Sequence, residues 1–298
     1  MSSRRITRVL ALVLLLILGL VAIPGASAGT VAPQYYLSLG DSVAAGWQPD
    51  PLTGQPGLTN QGYTDQLFRR LRDAVPGLQH EKMGCPGETT TTMIAGGNPA
   101  AALCSIEYGS QLNDALAFLA AHPGQVAFIT IDIGVNDVLS CLANADPAGC
   151  AATRIQTVVV PNLAMIVGTL RAATANAVPI VGMNYYNPYL ATWLEGIPPD
   201  GPAGPALAEQ TTLLAAGLNG ALAQVYAAFQ VPVADVFTAY RTMRWQMVDG
   251  QPFNVFRVCQ YTWMCYGPPV NPDIHPNRRG HGVIASVFQE ILEGYGIG

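Results

Sequence analysis

The 298 residues carry 14 Lys and Arg against 19 Asp and Glu, a formal charge of −5, and half of them are hydrophobic; Lys82 is the only lysine. That balance argues against nucleic acid or anionic lipid headgroups as electrostatic partners. The length is enough for one large core, and no charge block, linker or internal repeat divides it.

The chain opens as a leader. Arg4, Arg5 and Arg8 precede an apolar run from Val9 to Ile23, followed by Pro24 and the small-residue site Ala26-Ser27-Ala28. This is the pattern of a secretory signal peptide spanning residues 1–28. A permanent membrane anchor is disfavoured, because the run is short for a span of about 20 residues and ends in Pro and Gly. No later stretch reads as long and apolar enough to cross a bilayer. Cleavage would remove three Arg and no acid, so the remaining domain, residues 29–298, carries −8 and is expected outside the cell, as a monomer.

Tyr35 to Leu39 alternates as a buried strand does and breaks at Gly40-Asp41-Ser42. Ser42 then sits at the carboxyl end of a first strand, where open α/β sheets bind ligands. The helix-compatible run Val43-Ala44-Ala45 would turn free N–H groups toward anything held beside its hydroxyl. That is a place for a nucleophile, although Ser after Asp is by itself ordinary turn chemistry. A helix is expected from Tyr63 to Val75 and a short strand at Gln79 to Met83, followed by Gly84-Cys85-Pro86-Gly87, where Gly87 can present a bare backbone N–H. A helix from Gln111 to Ala121 precedes a strand from Val126 to Ile133. The turn Gly134-Val135-Asn136-Asp137 that follows places an amide where it could donate to an oxyanion.

A long helical region from Arg154 to Ala177, kinked at Pro161, leads to a strand at Pro179 to Met183. A helix from Ala206 to Phe229, a strand from Val231 to Val236 and a last helix from Arg278 to Leu292 complete the alternation. Five strands with intervening helices imply a parallel sheet covered on both faces. Asn187 to Pro205 and Asp249 to Pro272 read as long Pro/Gly-rich loops on the active edge. Just before the last helix, Asp273-Ile274-His275 offers a carboxylate and a base. In the flavodoxin-like order 2-1-3-4-5, strands 1, 2 and 3 are neighbours and their turns converge.

Six cysteines at local spacings allow fifteen pairings, of which the simplest is Cys85 with Cys104, Cys141 with Cys150 and Cys259 with Cys265. No Cys-x-x-Cys or His-x-x-x-His spacing suggests a metal site, and no cofactor is expected. His281 is expected on the last helix as a surface or packing residue, and His80 and His122 on the surface.

The four segments around Ser42, Gly87, Asn136 and His275, in this order, resemble the SGNH (GDSL) hydrolase family over essentially the whole domain. The likeness to secreted actinobacterial lipases and esterases extends to the Cys-Pro-Gly-Glu-Thr-Thr segment. The resemblance implies a three-layer α/β/α fold with a five-stranded parallel sheet and hydrolysis of small-molecule or lipid esters. It makes Ser42 the nucleophile, His275 the base, and the Ser42 N–H, Gly87 N–H and Asn136 amide the oxyanion donors. One position departs from the pattern: the family usually places its triad Asp three residues before the His, where this chain has Pro272. Asp273, two before, reaches His275 if the segment is extended; otherwise a backbone carbonyl orients the imidazole. The loop residues Trp193, Leu194, Ile197, Trp245, Phe253, Phe256, Tyr261 and Trp263 are expected to line an acyl site or to form local cores. A carbohydrate O-acetyl esterase and a non-catalytic secreted binding protein are the rival readings.

Overall fold

The computed structural model describes residues 33–194, 197 and 204–298; the expected leader lies outside them. Counting only the strands of the main sheet, these are β1 (Tyr35–Gly40), β2 (Gln79–Lys82), β3 (Val126–Asp132), β4 (Ile180–Met183) and β5 (Val233–Ala234). All pair in parallel, in the order β2-β1-β3-β4-β5, which is the expected flavodoxin-like order. Every residue of β3 is buried, the signature of a strand covered on both faces. Edge strand β2 instead carries polar residues, as exposed sheet edges do.

The helices are α1 (Ser42–Ala45), α2 (Tyr63–Leu71), α3 (Thr90–Ala95), α4 (Gln111–Ala121), α5 (Val135–Leu139), α6 (Pro147–Arg154), α7 (Val160–Ala173), α8 (Pro205–Ala228), α9 (Val236–Ala239), α10 (Phe253–Tyr261) and α11 (Arg278–Glu293). Helices α2 and α11 pack together, Tyr63 stacking on Phe288 with ring centroids 4.9 Å apart, and α7 packs on both α4 and α8. Fully buried Leu37, Leu39, Ile129, Ile131, Ile166, Leu170, Ile284 and Phe288 belong to one continuous core between these layers.

Several boundaries differ from expectation for identifiable reasons. Helix α2 stops at Leu71, four residues early, although Ala74 and Val75 still donate to the Leu71 carbonyl. The helical region expected from Arg154 begins at Pro147, and the predicted kink at Pro161 takes a specific form. Residues Ile155–Val159 are π-helical, with the Val160 N–H reaching back to the Ile155 carbonyl. Proline has no N–H to donate and crowds the carbonyl four residues back, and the widened turn just ahead of Pro161 accommodates it. The stretch read as a loop from Asp249 to Pro272 contains α10, and the one from Asn187 contains a 3₁₀ turn, Pro188–Trp193. Two short hairpins, Trp47–Pro49 with Pro56–Leu58 and Met247–Val248 with Gln251–Pro252, lie outside the main sheet.

By length and composition alone the continuous helix Pro147–Ala173 could cross a membrane, contrary to the expectation that no such stretch follows the leader. Its buried residues Val159, Leu163, Ile166, Val167 and Leu170 belong to the main core. The three expected disulfides are all present: Cys85–Cys104, Cys141–Cys150 and Cys259–Cys265.

Two histidines expected on the surface have partners. His80 stacks on Tyr36, its Nε2 lies 2.8 Å from Ser38 Oγ, and burial followed by the Lys82 charge pushes its pKa down to about 3. His122 Nδ1 lies 2.9 Å from the Phe118 carbonyl, with the ring against Tyr35 and Phe118. His281 is fully buried on α11, where its Nδ1 accepts from the Tyr63 N–H at 3.1 Å. Burial holds it neutral, with a pKa near 3.

Candidate active site

The register of the sheet decides what converges. Gly40 at the end of β1 lies level with Asp132 at the end of β3, so the turns leading to Ser42 and Asn136 leave the same edge side by side. On the other flank the chain after β2 keeps bonding to β1: Met83 N–H donates to the Ser38 carbonyl and Cys85 N–H to the Gly40 carbonyl. Gly87 is thereby brought to that edge too. Gly40 has φ +142°, and a Cβ there would run into the Asp132 carboxylate, so the break in the strand requires glycine.

Ser42 opens α1, capped by Asp41, whose Oδ1 accepts from the Val43 N–H at 2.8 Å. Asp41 is fully buried, and its Oδ2 accepts from the Tyr185 hydroxyl at 2.7 Å. Burial pushes its carboxyl up to about 6. Asp132, equally buried, is pushed well above the carboxylate range by burial and by the nearby Asp41. Two fully buried carboxyl groups, Asp41 and Asp132, thus lie at this edge beside Ser42.

Ser42 Oγ lies 2.9 Å from His275 Nε2, and His275 Nδ1 lies 2.8 Å from Asp273 Oδ1. The backbone N–H of His275 donates to the same Asp273 oxygen, also at 2.8 Å. The segment bends at Ile274 and His275 and is not extended, so the two-residue spacing is bridged by an Asx turn. Of the two expected ways of holding the imidazole, the carboxylate is the one present. Burial raises the Asp273 pKa, but the His275 ring and backbone bonds outweigh it and hold the carboxyl below its usual range. With Asp273 ionised, Nδ1 carries the proton and Nε2 is left to accept from Ser42.

Gly87 is exposed with φ +74°, a left-handed conformation that favours glycine. Its neighbour Glu88 ties the second turn to the third: the Asn136 amide donates to the Glu88 carbonyl at 2.9 Å. The Glu88 side chain is buried and accepts from Asn98 at 3.0 Å and Gln111 at 3.3 Å, while Gln111 bonds both the Gly40 N–H and carbonyl. Burial raises the Glu88 pKa. On the far side of Asn136, Asp137 accepts from the Thr90 N–H and hydroxyl at 2.9 and 2.7 Å. Among the described residues, neither the Ser42 nor the Gly87 N–H donates to a protein acceptor.

Sequence reasoning missed the supports. Tyr185 and Tyr186 follow β4 at the same edge; Tyr185 bonds Asp41, and the Tyr186 hydroxyl donates to the Ile274 carbonyl at 2.9 Å. Paired aromatics immediately after a buried strand, at the edge where ligands bind, were the available signal.

Of the loop residues expected to line an acyl site or to form local cores, Trp193, Ile197 and Trp245 pack on Leu190, Ala208, Val258 and Met264 in a second small core around Cys259–Cys265. Ile274 joins that core, so these residues brace the His275 segment. Phe253 lies under the guanidinium groups of Arg244 and Arg257, and Tyr261 meets Tyr240 edge to face. An apolar pocket lies elsewhere; Val135, the residue before Asn136, is in its wall, but Ser42, Gly87, Asn136 and His275 are not. Val135, Val138, Leu139, Leu142, Tyr185 and Leu218 are among its walls, and it encloses about 60 Å³. Among the described residues no group of three or more His, Cys, Asp or Glu is arranged to hold a metal ion.

This fold and edge geometry are those of an α/β/α hydrolase. The GDSL-like lipase/acylhydrolase family model matches residues 38–283, and the chain belongs to that family. Among solved structures, it is similar to an extracellular lipase from Streptomyces rimosus, with 17% identity, 86% of this chain and 99% of that one covered, and a TM-score of 0.56. It is also similar to phospholipase A1 from Streptomyces albidoflavus NA297, with 14% identity, 87% and 99% coverage, and a TM-score of 0.55. At these identities the likeness speaks for the fold. No curated protein sequence matches the chain.

Proposed function

We propose that this ester hydrolase is a secreted serine carboxylic-ester hydrolase that works through an acyl-enzyme on Ser42 and takes short acyl esters. The observation that carries the reading is the relay Ser42–His275–Asp273, at 2.9 and 2.8 Å.

In the proposed reaction Ser42 Oγ attacks the ester carbonyl carbon as its proton passes to His275 Nε2, and the carbonyl π electrons move onto oxygen. The Ser42 N–H, Gly87 N–H and Asn136 amide are the donors for that oxyanion. Collapse breaks the carbon–oxygen bond to the alcohol, which leaves with the proton from His275. Water then gives its proton to His275 and attacks the acyl carbon; the acid departs and Ser42 Oγ recovers its proton. Asp273 stabilises the imidazolium formed in both halves.

The acyl chain is assigned to the apolar pocket that Val135 and Tyr185 wall, Val135 preceding Asn136 in sequence and Tyr185 bonding the Asp41 carboxyl next to Ser42. The small volume of this pocket favours short chains over palmitoyl. Secretion is supported by the leader-like N-terminus and by three disulfides, bonds that persist in oxidising compartments.

The test is kcat/KM on p-nitrophenyl esters from acetyl to palmitoyl. A maximum between butyryl and hexanoyl is expected, and a maximum at dodecanoyl or longer would remove the acyl assignment of this pocket.

A further inference from the structure

A second, much larger cavity, about 1040 Å³, opens between the hairpin Trp47–Pro49/Pro56–Leu58 and the start of α11. Neither Ser42 nor His275 lines it. Its wall is nonetheless built from the segment that holds His275: Trp263 N–H donates to the His275 carbonyl at 3.1 Å, and Asn277, two residues beyond His275, is part of the lining.

The lining is unusual in chemistry. Gln55, Gln61, Gln66 and Gln260 face the cavity together with Trp263 and Tyr266. The Gln55 and Gln61 side chains make no hydrogen bond among the described residues. Gln66 spends only its amide N–H on the Gln61 and Arg278 carbonyls, and Gln260 only its oxygen on Arg257. Amide donors and acceptors are thus both left over. Trp263 is 8% exposed, and among the described residues its buried indole N–H has no partner. Tyr266 is 42% exposed and packs against Trp263 with ring centroids 4.6 Å apart.

An acyl chain here would bury these amides unpaired, which is unfavourable. A phosphate is poorly served as well. Arg278 and Arg279 line the cavity, but so does Asp50, whose carboxyl is held below its usual range by the Thr53 and Leu52 N–H groups and the Thr53 hydroxyl. Hydroxyl groups that both donate and accept match free amides on both counts, and the C–H face of a sugar ring matches an exposed tyrosine ring. We infer that this cavity is a binding site for a neutral oligosaccharide, separate from the ester-cleaving centre.

The experiment titrates the full-length secreted protein with cellotetraose, xylotetraose and chitotetraose, followed by calorimetry and tryptophan fluorescence. The inference expects saturable binding of at least one of them below 10 mM, weakened at least tenfold in Tyr266→Ala and in the double variant Gln55→Ala/Gln61→Ala. Turnover of p-nitrophenyl butyrate should be unchanged in both variants. Failure of all three sugars to bind, or binding indifferent to these substitutions, overturns the site. Competition by inorganic phosphate that is relieved in Arg278→Ala/Arg279→Ala would make it an anion site and overturn the saccharide assignment. Loss of ester turnover in the parent protein would count against the proposed function and leave this test intact.

Discussion

Asp273 Oδ1 accepts two hydrogen bonds from His275, one from the backbone N–H and one from Nδ1, each 2.8 Å long. A single oxygen therefore fixes both the turn of the chain and the tautomer of the ring. On the proposed mechanism Asp273→Asn should lower kcat by roughly 10⁴, because an amide at this position disturbs the tautomer that presents Nε2 to Ser42. Asp273→Ala should be similarly harmful. Near-normal kcat in both variants, beside an inactive His275→Ala, would reduce the assembly to a Ser–His dyad.

Asn136 is held by the Glu88 carbonyl, and only one of its two amide hydrogens is used there. If the other meets the oxyanion, Asn136→Ala should cut kcat by roughly 10² to 10³ with a much smaller change in KM. Steady-state kinetics on a short-chain ester decide it; a loss confined to KM would move Asn136 into substrate binding.

Asp41 gives a pH-dependent stability whose sign is set by its raised pKa, about 6 in the fold against 3.8 ordinarily. Below about pH 3 it is protonated in both folded and unfolded chains and costs nothing. As pH rises from about 3 to 6 the unfolded chain ionises first, so stability falls, and well above 6 the cost is complete. Asn at this position keeps an oxygen for the Val43 N–H without the charge. Asp41→Asn should therefore stabilise the protein at pH 8 by at most about 3 kcal/mol, a gain that disappears near pH 3. Urea melts at both pH values measure it; equal effects at the two would refute the burial argument.

The Cys85–Cys104 bridge closes the segment that carries Gly87, with a sequence separation of 19. Loop entropy puts its contribution at about 3 kcal/mol, so Cys85→Ala/Cys104→Ala should lower Tm by roughly 6–12 °C. Calorimetry on the double variant checks this, and an unchanged Tm would mean that the loop is held by the Glu88–Asn98–Gln111 bonds alone.

What could be read from the sequence was whatever depended on local pattern. The alternation at Tyr35–Leu39, the glycines at 40 and 87, and the order of Ser42, Asn136 and His275 along the chain all survive in the three-dimensional arrangement. What escaped depended on partners distant in sequence. Helix α3 was missed because Thr90–Thr92 are poor helix formers, and it begins on a Thr89–Thr92 capping box. His80 reads as a surface residue because nothing in its neighbourhood announces Tyr36, Phe68 and Ser38. Trp193 and Trp245 look alike as core or as ligand site until Ile274 is seen packing beside them. Asp273 reaches His275 through an Asx turn, where the sequence suggests extended backbone.

The proposed chemistry requires Ser42 to be the nucleophile. Treating the protein with a fluorophosphonate and sequencing the labelled peptide by mass spectrometry is the most direct measurement. Stoichiometric phosphonylation of Ser42, lost in Ser42→Ala and strongly slowed in His275→Ala while circular dichroism is unchanged, is the predicted result. An adduct on any other residue, or ester turnover that persists in folded Ser42→Ala, would contradict it.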